Sequence, residues 1–140
     1  MNNPGSLTSK REILKVFASL DYALTKRLRP GETVELLIVG GTAIRLIKPE
    51  FIEVTDDIDY ILLKCDRKFD TSIFTEYLMN DRASSFVVNL PEDYMDRIML
   101  VESKFSHLKL YHLHPIDLII MKLGRSQPKD AYDIIKSEII

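Results

Sequence analysis

Val39-Gly40-Gly41-Thr42-Ala43 and, a little further on, Thr55-Asp56-Asp57-Ile58-Asp59 are the two stretches that decide how this chain is read. The first closes a short, dense apolar run, Val34 and Leu36 to Val39, of the kind that forms a buried strand. Two glycines then end the strand. Neither carries a Cβ and either can adopt positive φ, so the backbone there can approach a ligand closely. Thr42 to Ile47 are good helix formers and predict a short helix closed by Pro49. The first N–H groups of that helix would be unpaired and backed by the positive end of its dipole, which suits phosphate oxygens, and the Thr42 hydroxyl adds a donor. By itself, Gly-Gly after an apolar strand is more often a tight turn. It is not a dinucleotide fingerprint, because G-x-G-x-x-G is missing, nor a Walker loop, because no Gly-Lys-Ser/Thr follows.

The second stretch opens a strand expected over Ile58 to Leu63. Strict alternation sends Asp57 and Asp59 to one face and Ile58, Tyr60 and Leu62 to the other. Two carboxylates on one face suit a hard cation such as magnesium, which binds through one or two carboxylates plus substrate phosphates; a two-metal site would clamp both oxygens of an in-line displacement. A solvent-facing strand with alternating acids is the plain alternative. Acids are depleted in strands, however, and neighbouring like charges need a counter-ion. An ordered series of buried strand, Gly-Gly, short helix and Asp-x-Asp strand therefore points to a site for a triphosphate and a metal.

Outward from this centre, Ser9 and Glu12 have capping-box spacing, and Ile13, Val16, Phe17, Leu20, Leu24 and Leu28 follow at helical intervals, which predicts a helix ending near Arg29 ahead of Pro30-Gly31. Beyond the acidic strand, Asp66 to Asp70 reads as a turn, and Ile73, Phe74, Tyr77 and Leu78 as helical. Phe86 to Leu90 reads as a strand, and Arg97 to Val101 with Leu108 to His112 as a hairpin. Ile116, Ile119, Ile120 and Leu123 form a helical stripe with Pro115 in its first turn and Gly124 just past its end, and Pro128 opens a last helix. The pattern predicts an α+β (mixed α/β) domain over residues 1–140, one central mixed sheet with helices packed mainly on one face.

Bulk properties exclude several classes. With 140 residues, 46% hydrophobic and 29% charged, the chain fits one globular domain. A single cysteine and no apolar leader favour a cytoplasmic protein, and no run is apolar enough to span a bilayer. A net charge of -2 removes the general electrostatic argument for nucleic acid and leaves a small polyanion open.

Val39-Gly-Gly-Thr-Ala43 followed by Thr55-Asp-Asp-Ile-Asp59 resembles the nucleotidyltransferase superfamily that includes DNA polymerase β, and more narrowly its AbiEii-like branch, many of whose members sit in toxin-antitoxin pairs. The likeness extends to Asp117-Leu118 through Lys122-Leu123, then Lys129-Asp130 and Asp133, and covers roughly residues 34 to 135. It implies that Asp57 and Asp59 hold Mg2+, that Gly40 and Gly41 hold the triphosphate, that Lys122 contacts phosphate and that Asp130 takes part in catalysis. The resemblance thus predicts Mg-dependent transfer of a nucleoside monophosphate from an NTP to a hydroxyl of a protein, a tRNA or a small molecule, with a cognate toxin or antitoxin as a possible partner.

No third strand carboxylate is identifiable; Asp96 and Glu102 are positional candidates only. That leaves open a non-catalytic relative acting as a nucleotide- or partner-binding module. Arg45 either reaches phosphate from the short helix or is exposed, and Arg97 carries the same alternatives. Lys122 lies off its helix's apolar stripe and is otherwise a solvated lysine, and Asp130 would favour a helix start regardless of chemistry. His112 and His114 alternate but lack the further ligands of a transition-metal site.

Overall fold

The computed structural model describes residues 9–50, 57–82 and 90–125, with side chains through Met121. The first helix, α1 (Lys10–Leu24), starts where the capping box places it: the Ser9 hydroxyl oxygen accepts the Glu12 N–H at 3.1 Å. Its buried stripe is Ile13, Phe17, Leu20 and Leu24, with Asp21 alongside. The Asp21 carboxylate accepts N–H groups of Ser106 (2.8 Å), His107 (2.7 Å) and Leu108 (3.1 Å), so a charged oxygen pair replaces the strand partner that this backbone lacks. α1 ends at Leu24 rather than near Arg29. A turn follows, in which Leu28 N–H still reaches the Leu24 carbonyl at 2.9 Å and Leu28 stays in the core.

Five strands form one mixed sheet. The central strand β1 (Val34–Val39) pairs antiparallel with β2 (Ile58–Cys65) and parallel with β5 (Leu108–His112); β3 (Met79–Asn80) runs parallel to β2, and β4 (Met99–Leu100) antiparallel to β5. The register aligns Val34, Leu36, Ile38, Ile58, Tyr60, Leu108 and Leu110 on one face, and all of them are buried. The other face carries Glu35, Asp59, Lys109 and Tyr111, with Leu37 and Val39 buried at its centre. In β2 the pairing skips Leu63 between Leu62 and Lys64. That bulge reverses the alternation, so exposed Lys64 faces away from the core while Cys65 returns to it.

Helix α2 (Gly40–Ile47) packs on β1 and β2 and touches α1 and α3 (Pro115–Arg125), giving the expected α+β fold. Several boundaries differ from the sequence reading. α2 begins at Gly40, not Thr42, because Gly40 at φ +69° turns the chain directly from strand into helix. Thr71–Tyr77 is a 3-10 helix closed by Leu78 at φ +62°. The hairpin strand before β5 shrinks to two residues, and Gly124 lies inside α3. The strand expected over residues 86–90 lies outside the described residues except for buried Leu90, as does the helix expected after Pro128.

Candidate active site

The C-terminal end of β1 and the N-terminal end of β2 meet in register, Val39 opposite Asp59. Ile58 and Tyr60 are anchored in the core, so pleating sends Asp59 to the opposite face. There its carboxylate lies against Gly40. A Cβ built on Gly40 would stand 2.6 Å from Asp59 Oδ2, and 3.4 Å from its Cγ. A side chain at this position would push the carboxylate end aside, and the residue must also accept φ +69°. The backbone conformation calls for glycine at position 40, and the close carboxylate adds to that preference. The Thr42 hydroxyl donates to the Asp57 carbonyl at 3.4 Å, a long bond that joins the first turn of α2 to the aspartate strand. Thr42 is buried, and in this arrangement its hydroxyl is turned to the Asp57 backbone.

Asp57 is about half exposed, and its Oδ2 accepts from Arg82 Nη2 at 3.1 Å. Arg82 in turn is held by Asn80, whose Oδ1 accepts both Arg82 N (3.2 Å) and Nε (3.4 Å). Asn80 pairs with Asp59 across β2 and β3, so it borders the same patch. Neither Asn80 nor Arg82 was anticipated; Asn80-Asp81-Arg82 reads locally as an ordinary polar turn, and only the pairing of a two-residue strand brings it here. Among the described residues no three His, Cys, Asp or Glu side chains converge, so the candidate cation ligands are Asp57 and Asp59. Asp96 and Glu102 are exposed, and β5, which flanks β1 on its other side, has no acidic residue.

A family model described as a nucleotidyltransferase of unknown function, DUF6036, matches residues 13–140. The chain belongs to this family. Neither the curated proteins nor the solved structures yielded a match.

The remaining candidate residues of this nucleotidyltransferase-family chain divide by burial. Arg45 is fully buried in α2 rather than exposed. Arg97 is committed elsewhere: its Nε and Nη2 donate to the two oxygens of fully buried Asp117, both at 2.9 Å, and Nη1 meets Asp93 Oδ2 at 2.9 Å. These carboxylates, Asp117 first, hold the guanidinium proton more tightly than usual, while Arg97 keeps the Asp93 carboxyl below its ordinary range. Asp117 and Arg97 thus tie α3 to the segment before β4. Lys122 lies on α3, but its side chain, like Asp130 and Asp133, lies outside the described residues. His114 Nδ1 accepts the Ile116 N–H at 3.1 Å at the start of α3, and His112 Nδ1 lies 2.8 Å from the Leu113 carbonyl. Burial lowers the His112 pKa.

Proposed function

We propose that the chain is a Mg-dependent nucleotidyltransferase that moves a nucleoside monophosphate from an NTP to an acceptor hydroxyl. One observation carries the reading: the Asp59 carboxylate rests against Gly40, at the point where the strand turns into α2. Family membership supplies the reaction class. In the reaction, the acceptor oxygen forms a bond to the α-phosphorus, the bond from that phosphorus to the β-phosphate oxygen breaks, the hydroxyl proton passes to a base, and pyrophosphate leaves. Asp57 and Asp59 fit a magnesium ion, being hard oxygen donors two residues apart where the chain enters β2, and two carboxylates plus phosphates satisfy its preference. When bound, the ion supplies charge neutralisation at the entering and leaving oxygens.

The residues of the chain do the positioning. Gly40 and Gly41 let the backbone approach the polyphosphate, and the first N–H groups of α2 point toward it. Thr42 keeps Asp57 in place through its carbonyl. Asp130 is the candidate base and Lys122 a candidate phosphate contact, both on family grounds. Protein, tRNA and small-molecule hydroxyls remain the acceptor classes, and a place in a toxin-antitoxin pair, as in the AbiEii-like branch, belongs to the same proposal, as does a cytoplasmic setting.

A specific observation favours a second reading, a nucleotide- or partner-binding module without activity: no third carboxylate joins Asp57 and Asp59 among the described residues. One experiment addresses both. Thermal melting with Mg2+ and each NTP should raise the midpoint only when both are present, and Asp57→Ala and Asp59→Ala should each abolish the rise. Label transfer from an α-labelled NTP into a cell extract then separates an enzyme from a binding module. Wild-type protein whose melting ignores nucleotide and metal would end the enzyme and nucleotide-binding readings and leave only a partner-binding module.

A further inference from the structure

The edge of this patch holds a cation that the reaction described above does not use. β3 runs beside the start of β2, which puts Asn80 next to Asp59, and Asn80 Oδ1 holds both Arg82 N and Arg82 Nε. With Oδ1 so engaged, the orientation of the Asn80 amide is fixed and its Nδ2 is turned inward, a buried donor with no hydrogen-bond acceptor among the described residues. The Arg82 guanidinium reaches across to Asp57 Oδ2 at 3.1 Å. That ion pair is solvent-exposed, with 77% of the Arg82 side chain and 46% of Asp57 accessible. Pairs of this kind are weak and exchange readily. The hold of Asn80 on the Arg82 backbone is independent of it, so the guanidinium can leave Asp57 while its Cα stays in place.

We propose that Arg82 is a polyphosphate-binding residue of this site, kept beside Asp57 in the free protein and turned onto the triphosphate when Asp57 is engaged by a divalent cation. The inference rests on the proposed function, since it needs Asp57 to be a cation ligand and a triphosphate to lie beside it. The physical reason is charge. Asp57 cannot serve a guanidinium and a metal ion through the same oxygen at full strength, whereas a triphosphate arriving at the same place offers several oxygens to the planar fork of an arginine.

The consequence is a pair of effects with opposite sign, which a mere surface ion pair would not produce. In the full chain, Arg82→Ala should bind Mn2+ alone about two- to fivefold more tightly than wild type, because a competing cation is gone. The same variant should bind ATP, CTP, GTP or UTP with Mg2+ roughly tenfold more weakly, because a charge-assisted contact is lost. Arg82→Lys should fall between, retaining charge without the fork. Calorimetric titration reads both affinities, and circular dichroism checks that the exposed substitution leaves the fold unchanged. If Arg82→Ala leaves nucleotide binding at the wild-type level, or weakens Mn2+ binding, the proposal is overturned while Asp57→Ala still tests the site itself. If wild type binds neither Mn2+ nor any nucleotide, both this proposal and the proposed function fall.

Discussion

Replacing Gly40 by alanine isolates the contact on which the site is built, and a second glycine provides the control. Gly40 and Gly31 both lie at positive φ, +69° and +86°, so each alanine substitution carries a backbone cost of about 1–2 kcal/mol. Around Gly31 nothing lies within 4 Å, and the cost there ends with the backbone. At Gly40 the new Cβ would sit 2.6 Å from Asp59 Oδ2, well inside the 3.4 Å at which ordinary contact begins. The atom it meets is the end of a flexible side chain, so the Asp59 carboxylate can swing aside at about 0.5–1.5 kcal/mol of rotamer strain, and Gly40→Ala should lose about 1.5–3.5 kcal/mol in total. Urea denaturation followed by circular dichroism measures both variants, with an unchanged m-value required for the comparison. In an Asp59→Ala background the clash disappears, and Gly40→Ala should fall back to the cost of Gly31→Ala. Equal losses for the two glycine variants, or a Gly40→Ala cost indifferent to Asp59, would refute the stated geometry.

The other predictions concern charge. Arg97→Met strips fully buried Asp117 of its bidentate partner and should cost about 3 kcal/mol in urea denaturation, with Arg97→Met/Asp117→Leu recovering most of it; equal single- and double-variant stability would show the pair carries no such coupling. Stability should also fall in two steps as pH drops. The first begins below the ordinary histidine value of 6.5: burial lowers the folded-state pKa of His112, so the unfolded chain takes up the proton first, and His112→Gln should remove that step. The second begins near the ordinary carboxylate value of 3.8, as Asp66, held low by the Thr33 N–H, and Asp93, held low by Arg97, are protonated and their contribution is lost on the way down to their folded-state pKa values. Melting temperatures from pH 8 to pH 3 check both steps, and a first step that survives His112→Gln would reject its assignment.

Local signals in the sequence sufficed for the elements that local physics governs. The Ser9 cap, the apolar run of β1, the glycines that end it and the alternation that turns Asp59 away from Ile58 are all set within a few residues. What escaped the sequence depends on distant partners. Asp21 sits among apolar neighbours in α1 and finds its donors at residues 106–108. Arg97 reads as either a phosphate contact or an exposed residue, but Asp117, twenty residues on, takes its fork. Arg45 carries a charge into the core, against every compositional expectation for an arginine. β3 is only two residues long, too short for periodicity, yet it is what sets Asn80 and Arg82 beside the aspartates.

The Asp117–Arg97 and Asp57–Arg82 pairs use the same chemistry for opposite ends, and burial decides which. Asp117 is wholly inaccessible, and both its oxygens are taken by Arg97 at 2.9 Å, so releasing it would strand a charge in the interior. Such a pair can only be structural. Asp57 meets Arg82 through one oxygen, in water, at a cost of separation small enough for a competing cation to overcome. An aspartate that must exchange partners during a reaction has to be held in this second way. The difference explains why Asp117, although it belongs to the helix motif of the family resemblance, acts as a fastening for α3, while the more weakly held and more exposed Asp57 is the one to which the proposed function gives a ligand.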